Sequence, residues 1–173
     1  MSPLQSGMIT FSSAMGALVM KTTAGPILRR FGFRNVLTGN ALICGLVLAL
    51  YGMLTAEVPY ALMVAFLVMA GFFRSLQFTS LNAVAYADMD RKSMSRATAL
   101  VAVAQQIFLS AGVAIAALLL ELSRTMRGAT ELVGADFSFA FFAVAGITIA
   151  AALFHSRLSA DAGAAVSGHR PRQ

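Results

Sequence analysis

Arg74 and Gln77 stand one helical turn apart in a stretch that is otherwise almost free of charge, so a helix there sets a guanidinium and an amide on one face. That pair can present a cation and an amide to a water-filled cavity. A buried Arg at mid-membrane costs roughly 2.5–3.5 kcal/mol on insertion scales, so such a residue faces protein or water and not lipid. Two readings of Arg74 stand at this point: a substrate-facing or coupling cation, or a structural partner for a carboxylate on helices outside this chain. Ser75, Thr79, Asn82 and Tyr86 recur at helical spacing beside it, a pattern suited to hydrogen bonds between helices. Gln105 and Gln106 are adjacent and therefore point about 100° apart on a helix, so one of them at most faces a cavity squarely. Lining of a pathway and interhelical bonding are both open for that pair. Together Arg74, Gln77, Asn82 and Gln106 form the candidate cavity-lining set.

Bond-making chemistry has no comparable constellation. The seven acids lie at the ends of apolar runs, between them or near the C-terminus, with Glu57 and Glu121 nearest to a run's interior. No Ser/His, Asp/Asp or His/Glu set falls inside an apolar run, so an enzyme is not expected. Cys44 is the lone cysteine and sits among apolar residues, and His155 and His169 lie at and beyond the last apolar run. Neither a metal site nor a cofactor is expected from them.

The elements that must carry these residues are set by composition. Hydrophobic residues make up 58% of the chain and charged residues 12%, with mean hydropathy +0.78; a soluble domain carries about a quarter charged residues. The net charge of +6 does not point to nucleic acid, because the basic residues are confined to short clusters between long apolar runs. Five runs, 7–28, 36–56, 60–87, 97–122 and 137–154, are long enough to cross a bilayer, which takes about 20 residues. The expected fold is an all-α integral membrane bundle of five transmembrane helices, with 159–173 a disordered tail rich in Ala, Gly and Ser.

Charge then gives the expected orientation. Arg29, Arg30, Arg34, Arg91, Lys92, Arg96, Arg157, Arg170 and Arg172 fall on one side, against Arg124 and Arg127 on the other. Basic residues stay on the cytoplasmic face, which makes the C-terminus cytoplasmic and sets Met1 outside. Residues 1–6 lack the basic flank of a signal peptide; further helices upstream of Met1 would account for the outward start. Lys21 lies about 10 Å inside the first span, close enough for its ammonium to reach the interface or to touch another part of the protein.

The first basic turn reads Gly25-Pro26-Ile27-Leu28-Arg29-Arg30-Phe31-Gly32-Phe33-Arg34. It resembles the loop signature G-x-x-x-D-R-x-G-R-R of the major facilitator superfamily, with Gly25, Arg30, Gly32 and Arg34 on matching positions. Arg29 stands where the acid belongs and Phe33 where a basic residue belongs. The stretches from Ser2 to Gly7 and from Gly71 to Gln77, running on to Asn82, are similar to the fourteen-span drug:proton antiporter branch. In that family the loop joins helices two and three of a six-helix half, so the resemblance implies that the five spans correspond to helices 2–6 of the C-terminal half. It also implies a cavity-lining role for the fourth helix of the half. The third run carries Arg74, Gln77, Thr79, Ser80 and Asn82, whereas the second and fifth runs, expected to face lipid, are almost wholly apolar over 41–54 and 139–154.

The function expected from the resemblance is secondary active transport: proton-coupled efflux of small drug-like compounds across the inner (plasma) membrane. The intact parent then works with substrate, protons and the missing N-terminal transporter helices, in the lipid bilayer. No acid lies deep inside a span, so coupling carboxylates are expected on those helices, and the chain is not expected to transport alone. The competing reading is a small membrane-embedded interaction subunit that needs a partner. Small residues such as Gly112, Ala116 and Ala117 are expected at close-packed contacts.

Overall fold

The computed structural model describes residues 3–54, 58–87, 89–90 and 93–168, in which every regular element is a helix. A backbone in hydrocarbon must satisfy its own N–H and C=O groups, and long apolar runs do so as helices. Four helices are long and apolar enough to cross a membrane: α1 (Pro3–Met53), α2 (Tyr60–Ala87), α3 (Met94–Met126) and α4 (Gly134–Ser156). A single turn, α5 (Ala164–Ser167), follows them. Glu57, Arg91, Lys92, His169, Arg170 and Arg172, which enter the charge and motif readings, lie outside the described residues.

The helix count therefore corrects the expected five to four. The first two expected spans belong to one 51-residue element, because the basic stretch 29–35 is not an open loop. Helical geometry runs up to and away from Gly32, and Gly32 alone leaves it, at φ 73° and ψ 162°. That conformation is essentially confined to glycine, while the flanking arginines are good helix formers. The arms, 3–31 and 33–53, reverse at this one residue. The first runs parallel to α2, with Gly16 beside Phe72 and, further along both, Leu28 beside Ala83. The second runs antiparallel to it, with Asn40 bonded to Gln77 and Tyr51 packed edge-on against Phe66 at 4.8 Å between centroids.

The first arm crosses α2 at Gly16 and Gly71. A Cβ on Gly16 would collide with the Val68 carbonyl and the Phe72 amide, and one on Gly71 would collide with the backbone of Ser13. Gly45 and Gly52 likewise bring the second arm close to α4, whereas Gly112, expected at a close contact, has open space where its Cβ would stand. Near the Gly32 end the contact continues as a core of Met20, Ala24, Leu28, Phe33, Val36 and Leu76, flanked by Phe72 and Val84. At the other end Tyr51 stacks on Phe141 of α4, 5.7 Å between centroids.

The helices α3 and α4 overrun the apolar limits expected for them (97–122 and 137–154), leaving only 127–133 between them. Arg124 pairs with Glu121 and donates to the Thr130 carbonyl at 3.1 Å, so polar residues carry the helix past the hydrophobic run. The helix α3 leans on α4 and barely touches α2. Beyond α4 the chain turns back: Gly163, at φ 67°, lies on the ring of Phe33, which is 1% exposed. Of the stretch 159–173, the residues up to Gly168 form turns and α5, and 169–173 lie outside the described residues.

Candidate functional site

The middle of α2 carries the polar residues, and the two arms of α1 decide which of them meet. Arg74 is exposed and lines a cavity of about 280 Å³ with Ser13 of the first arm, Cys44, Leu48 and Tyr51 of the second, and Phe73 of α2. The walls are largely apolar, with hydroxyl, thiol and guanidinium groups at separate points. Arg74 makes no hydrogen bond or ion pair with any described residue. Arg74 is therefore a cation presented to open space, fourteen positions from the start and thirteen from the end of a 28-residue helix.

Gln77 does not join it. Asn40 Nδ2 donates to Gln77 Oε1 and to the Phe73 carbonyl, both at 2.8 Å. Asn40 is 4% exposed, so this is a buried clamp between the second arm and α2. Sequence reading overlooked Asn40, because it precedes the apolar stretch 41–54 by one residue. Its signal was available: a lone amide beside a membrane-buried run has to find a partner. Cys44 is half-buried at the cavity wall, with Sγ 3.8 Å from Asn40 Nδ2.

Asn82 forms a second clamp. Its Oδ1 accepts from Gln105 Nε2 at 2.7 Å, and its own Nδ2 donates to the Phe78 carbonyl at 2.8 Å. Gln105, not Gln106, is the member of the adjacent pair that reaches across to α2; Gln106 is exposed. The four candidate lining residues thus divide: Gln77 and Asn82 bind helices together, while Arg74 and Gln106 stand open.

The turn residues sit at the opposite end of α2's contacts. Gly32 makes the reversal, Arg30 lies over the Phe31 ring at 5.5 Å, and Arg34 is exposed. Gly25 has open space where a Cβ would stand, so close helix approach does not explain it. Lys21 is exposed.

A third polar cluster closes the α3–α4 hairpin. Asp136 is fully buried and accepts from Ser123 Oγ (2.6 Å), Arg127 Nε (3.0 Å), Arg127 Nη2 (2.5 Å) and the Val133 amide (2.9 Å). Four donors on one carboxylate require it to be ionised. The bond to Asp136, reinforced by its charge, raises the pKa of Arg127 above the ordinary guanidinium value. Both residues were legible as loop charges; their convergence was not, since it depends on α3 ending at Met126.

Four long apolar helices, packed through glycines and amide clamps, define a multi-pass α-helical membrane protein. The chain belongs to the Major Facilitator Superfamily, whose sequence model matches residues 1–171. It is similar to proteins provisionally named multidrug resistance protein MdtD. The protein of Klebsiella pneumoniae strain 342 is 27% identical over 164 residues, which is 94% of this chain and 35% of the relative. That of Escherichia coli strain 536 is 29% identical over 166 residues, covering 92% of this chain and 34% of the relative. The chain thus spans about a third of the length of the curated relatives it matches. No solved structure matches it.

Proposed function

We propose that this chain forms the C-terminal part of a secondary active transporter that exports small drug-like compounds in exchange for protons. The two arms of α1 with α2, α3 and α4 supply half-transporter helices 2–6, and transport takes place by alternating access between two halves around a site near the midplane. The basic end, with the Gly32 turn and Arg157, faces the cytoplasm of a cell whose inner (plasma) membrane holds the protein. The observation that carries the reading is Arg74, a guanidinium in the middle of a membrane-length helix at the mouth of an apolar cavity. Family membership and the multidrug-resistance names of the relatives support efflux as the direction.

Coupling carboxylates belong to helices outside this chain, because the described acids cluster at helix ends, where Glu121 and Asp136 are already engaged. The test is proton flux in reconstituted vesicles. The chain alone gives no substrate-dependent flux, whereas the chain joined to the remaining helices of a parent transporter does. Flux from the chain alone would overturn the proposal.

A further inference from the structure

We infer that the cavity between α5, the first arm of α1 and the end of α2 binds an anionic membrane phospholipid, with the lipid phosphate on Arg29. The inference rests on the transporter reading only for the leaflet, which that reading makes the inner one; the cavity itself is a property of the described residues.

The return of the chain builds the cavity. Each arm of α1 is long enough to cross a bilayer, so the turn they share at Gly32 stands at a membrane surface. Beyond α4 the chain comes back to that turn, where Gly163 covers the Phe33 ring and α5 follows. Val166 and Gly168 of this segment line a cavity of about 810 Å³ together with Gly25, Pro26 and Arg29 of the first arm and Ala83 of α2. A Cβ on Gly168 would stand 3.8 Å from Arg29 Nε, so the segment ends beside the guanidinium.

Charge, depth and access together select a lipid. Among the described residues Arg29 is the one charged member of the wall, and it stands where the family's loop signature has an acid, so the sign at this position is reversed. A guanidinium presents a planar fork of N–H donors that matches phosphate, and it can hold one while keeping other bonds. Arg30, Arg34, Arg96 and Arg157 outnumber Asp90 and Asp161 at the same end and add to the attraction for an anion. Depth orders the wall as a phospholipid is ordered. Gly25 lies one helical turn, about 6 Å, further from the Gly32 surface than Arg29, so the cationic part is outermost and Gly25, Pro26 and Ala83 lie below it. Access is lateral: Gly25 and Pro26 are exposed, and a Cβ on Gly25 would meet nothing. A soluble anion needs neither a flank opening nor an apolar wall, whereas an acyl chain needs both. Gly25, which helix packing leaves unexplained, keeps that flank open.

The test is native mass spectrometry of the 173-residue chain released from detergent micelles that hold equal amounts of phosphatidylglycerol and phosphatidylcholine. The chain retains phosphatidylglycerol in several-fold excess. Arg29→Gln removes that excess and Arg29→Lys keeps part of it. Gly25→Leu, whose side chain enters open space in the cavity, displaces the lipid with Arg29 in place. Arg157→Gln, at a basic residue outside the wall, leaves the ratio unchanged. Deuterium uptake in residues 163–168 reports whether α5 stays docked; where Arg29→Gln releases it, Gly25→Leu decides the case. Equal retention of the two lipids, or full retention of phosphatidylglycerol by Gly25→Leu, would overturn the inference. Equal losses from Arg29→Gln and Arg157→Gln would overturn it in favour of a diffuse basic surface. Displacement of the lipid by millimolar inorganic phosphate would overturn it in favour of a soluble phosphate compound. Retention seen only in a chain cut after Gly168 would overturn it in favour of residues 169–173 as the occupant. Lipid retention is read without transport, so its failure leaves the transport proposal to be judged by flux alone.

Discussion

Single side chains in this bundle fall into groups that hold helices and groups that do not, and mutation should separate them. Asn40→Leu removes the bonds to Gln77 and Phe73 and leaves Gln77 without its donor. Interhelical bonds in membranes average about 0.6 kcal/mol and reach ~1.7, so unfolding in mixed detergent should show a loss within that range. Arg74→Gln, at a residue with no bond to a described partner, should change the same measurement by less than about 0.5 kcal/mol while abolishing flux in the joined parent. Similar losses from both would refute the division of roles. At the α3–α4 hairpin, Glu121→Gln breaks an exposed pair of the kind worth about 0.3–0.5 kcal/mol. Asp136→Asn should expose Arg127 to trypsin faster than Glu121→Gln does, because it removes the charge and turns one of the two accepting oxygens into a donor. The sequence marked Arg74, Gln77 and Asn82 as polar residues in an apolar helix. It could not rank them, because partners depend on which residue of another helix stands at the same depth. The choice between Gln105 and Gln106 is the sharpest case: one residue of rotation decides it, and the sequence does not say on which side of this helix Asn82 stands.

Among the elements, glycine position governs how the helices touch. Gly71→Leu forces a side chain into the Ser13 backbone, and overpacking of this kind typically costs 1–3 kcal/mol; the first arm should separate from α2, with reduced thermal stability in detergent. Gly112→Leu points into open space and should leave stability within about 0.5 kcal/mol. Gly32→Ala places a Cβ on a backbone conformation that costs of order 1–3 kcal/mol for other residues. Gly71 and Gly112 stand in apolar contexts that look alike in sequence and are told apart by interhelical distance, whereas Gly32 is set apart by its positive φ. The merging of the first two spans has a similar origin. Three arginines between apolar runs read as a loop, because charge leaves hydrocarbon, but leaving hydrocarbon does not require leaving the helix. The departure at Phe33 from the family's loop signature also acquires a physical role. The ring is buried beneath Gly163, so Gly163→Leu should detach residues 163–168 and make Phe33 accessible, detectable as faster deuterium uptake in α5.

For the molecule as a whole, the alternation of basic and mixed-charge ends gives a directional prediction. A cysteine at Arg30 should react with a membrane-impermeant maleimide from the cytoplasmic side only, and one at Val133 from the outside only; the reverse result would invert the orientation. The reversal at Gly32 carries a consequence for motion. Two arms that share one residue have no slack at that end, so they cannot slide past each other along the membrane normal. Like the legs of a compass, they can only spread, and the spread grows with distance from the pivot. Rearrangement of these two arms should therefore be widest near Ser13 and Tyr51, on the cavity side of the bundle, and smallest at the basic turn.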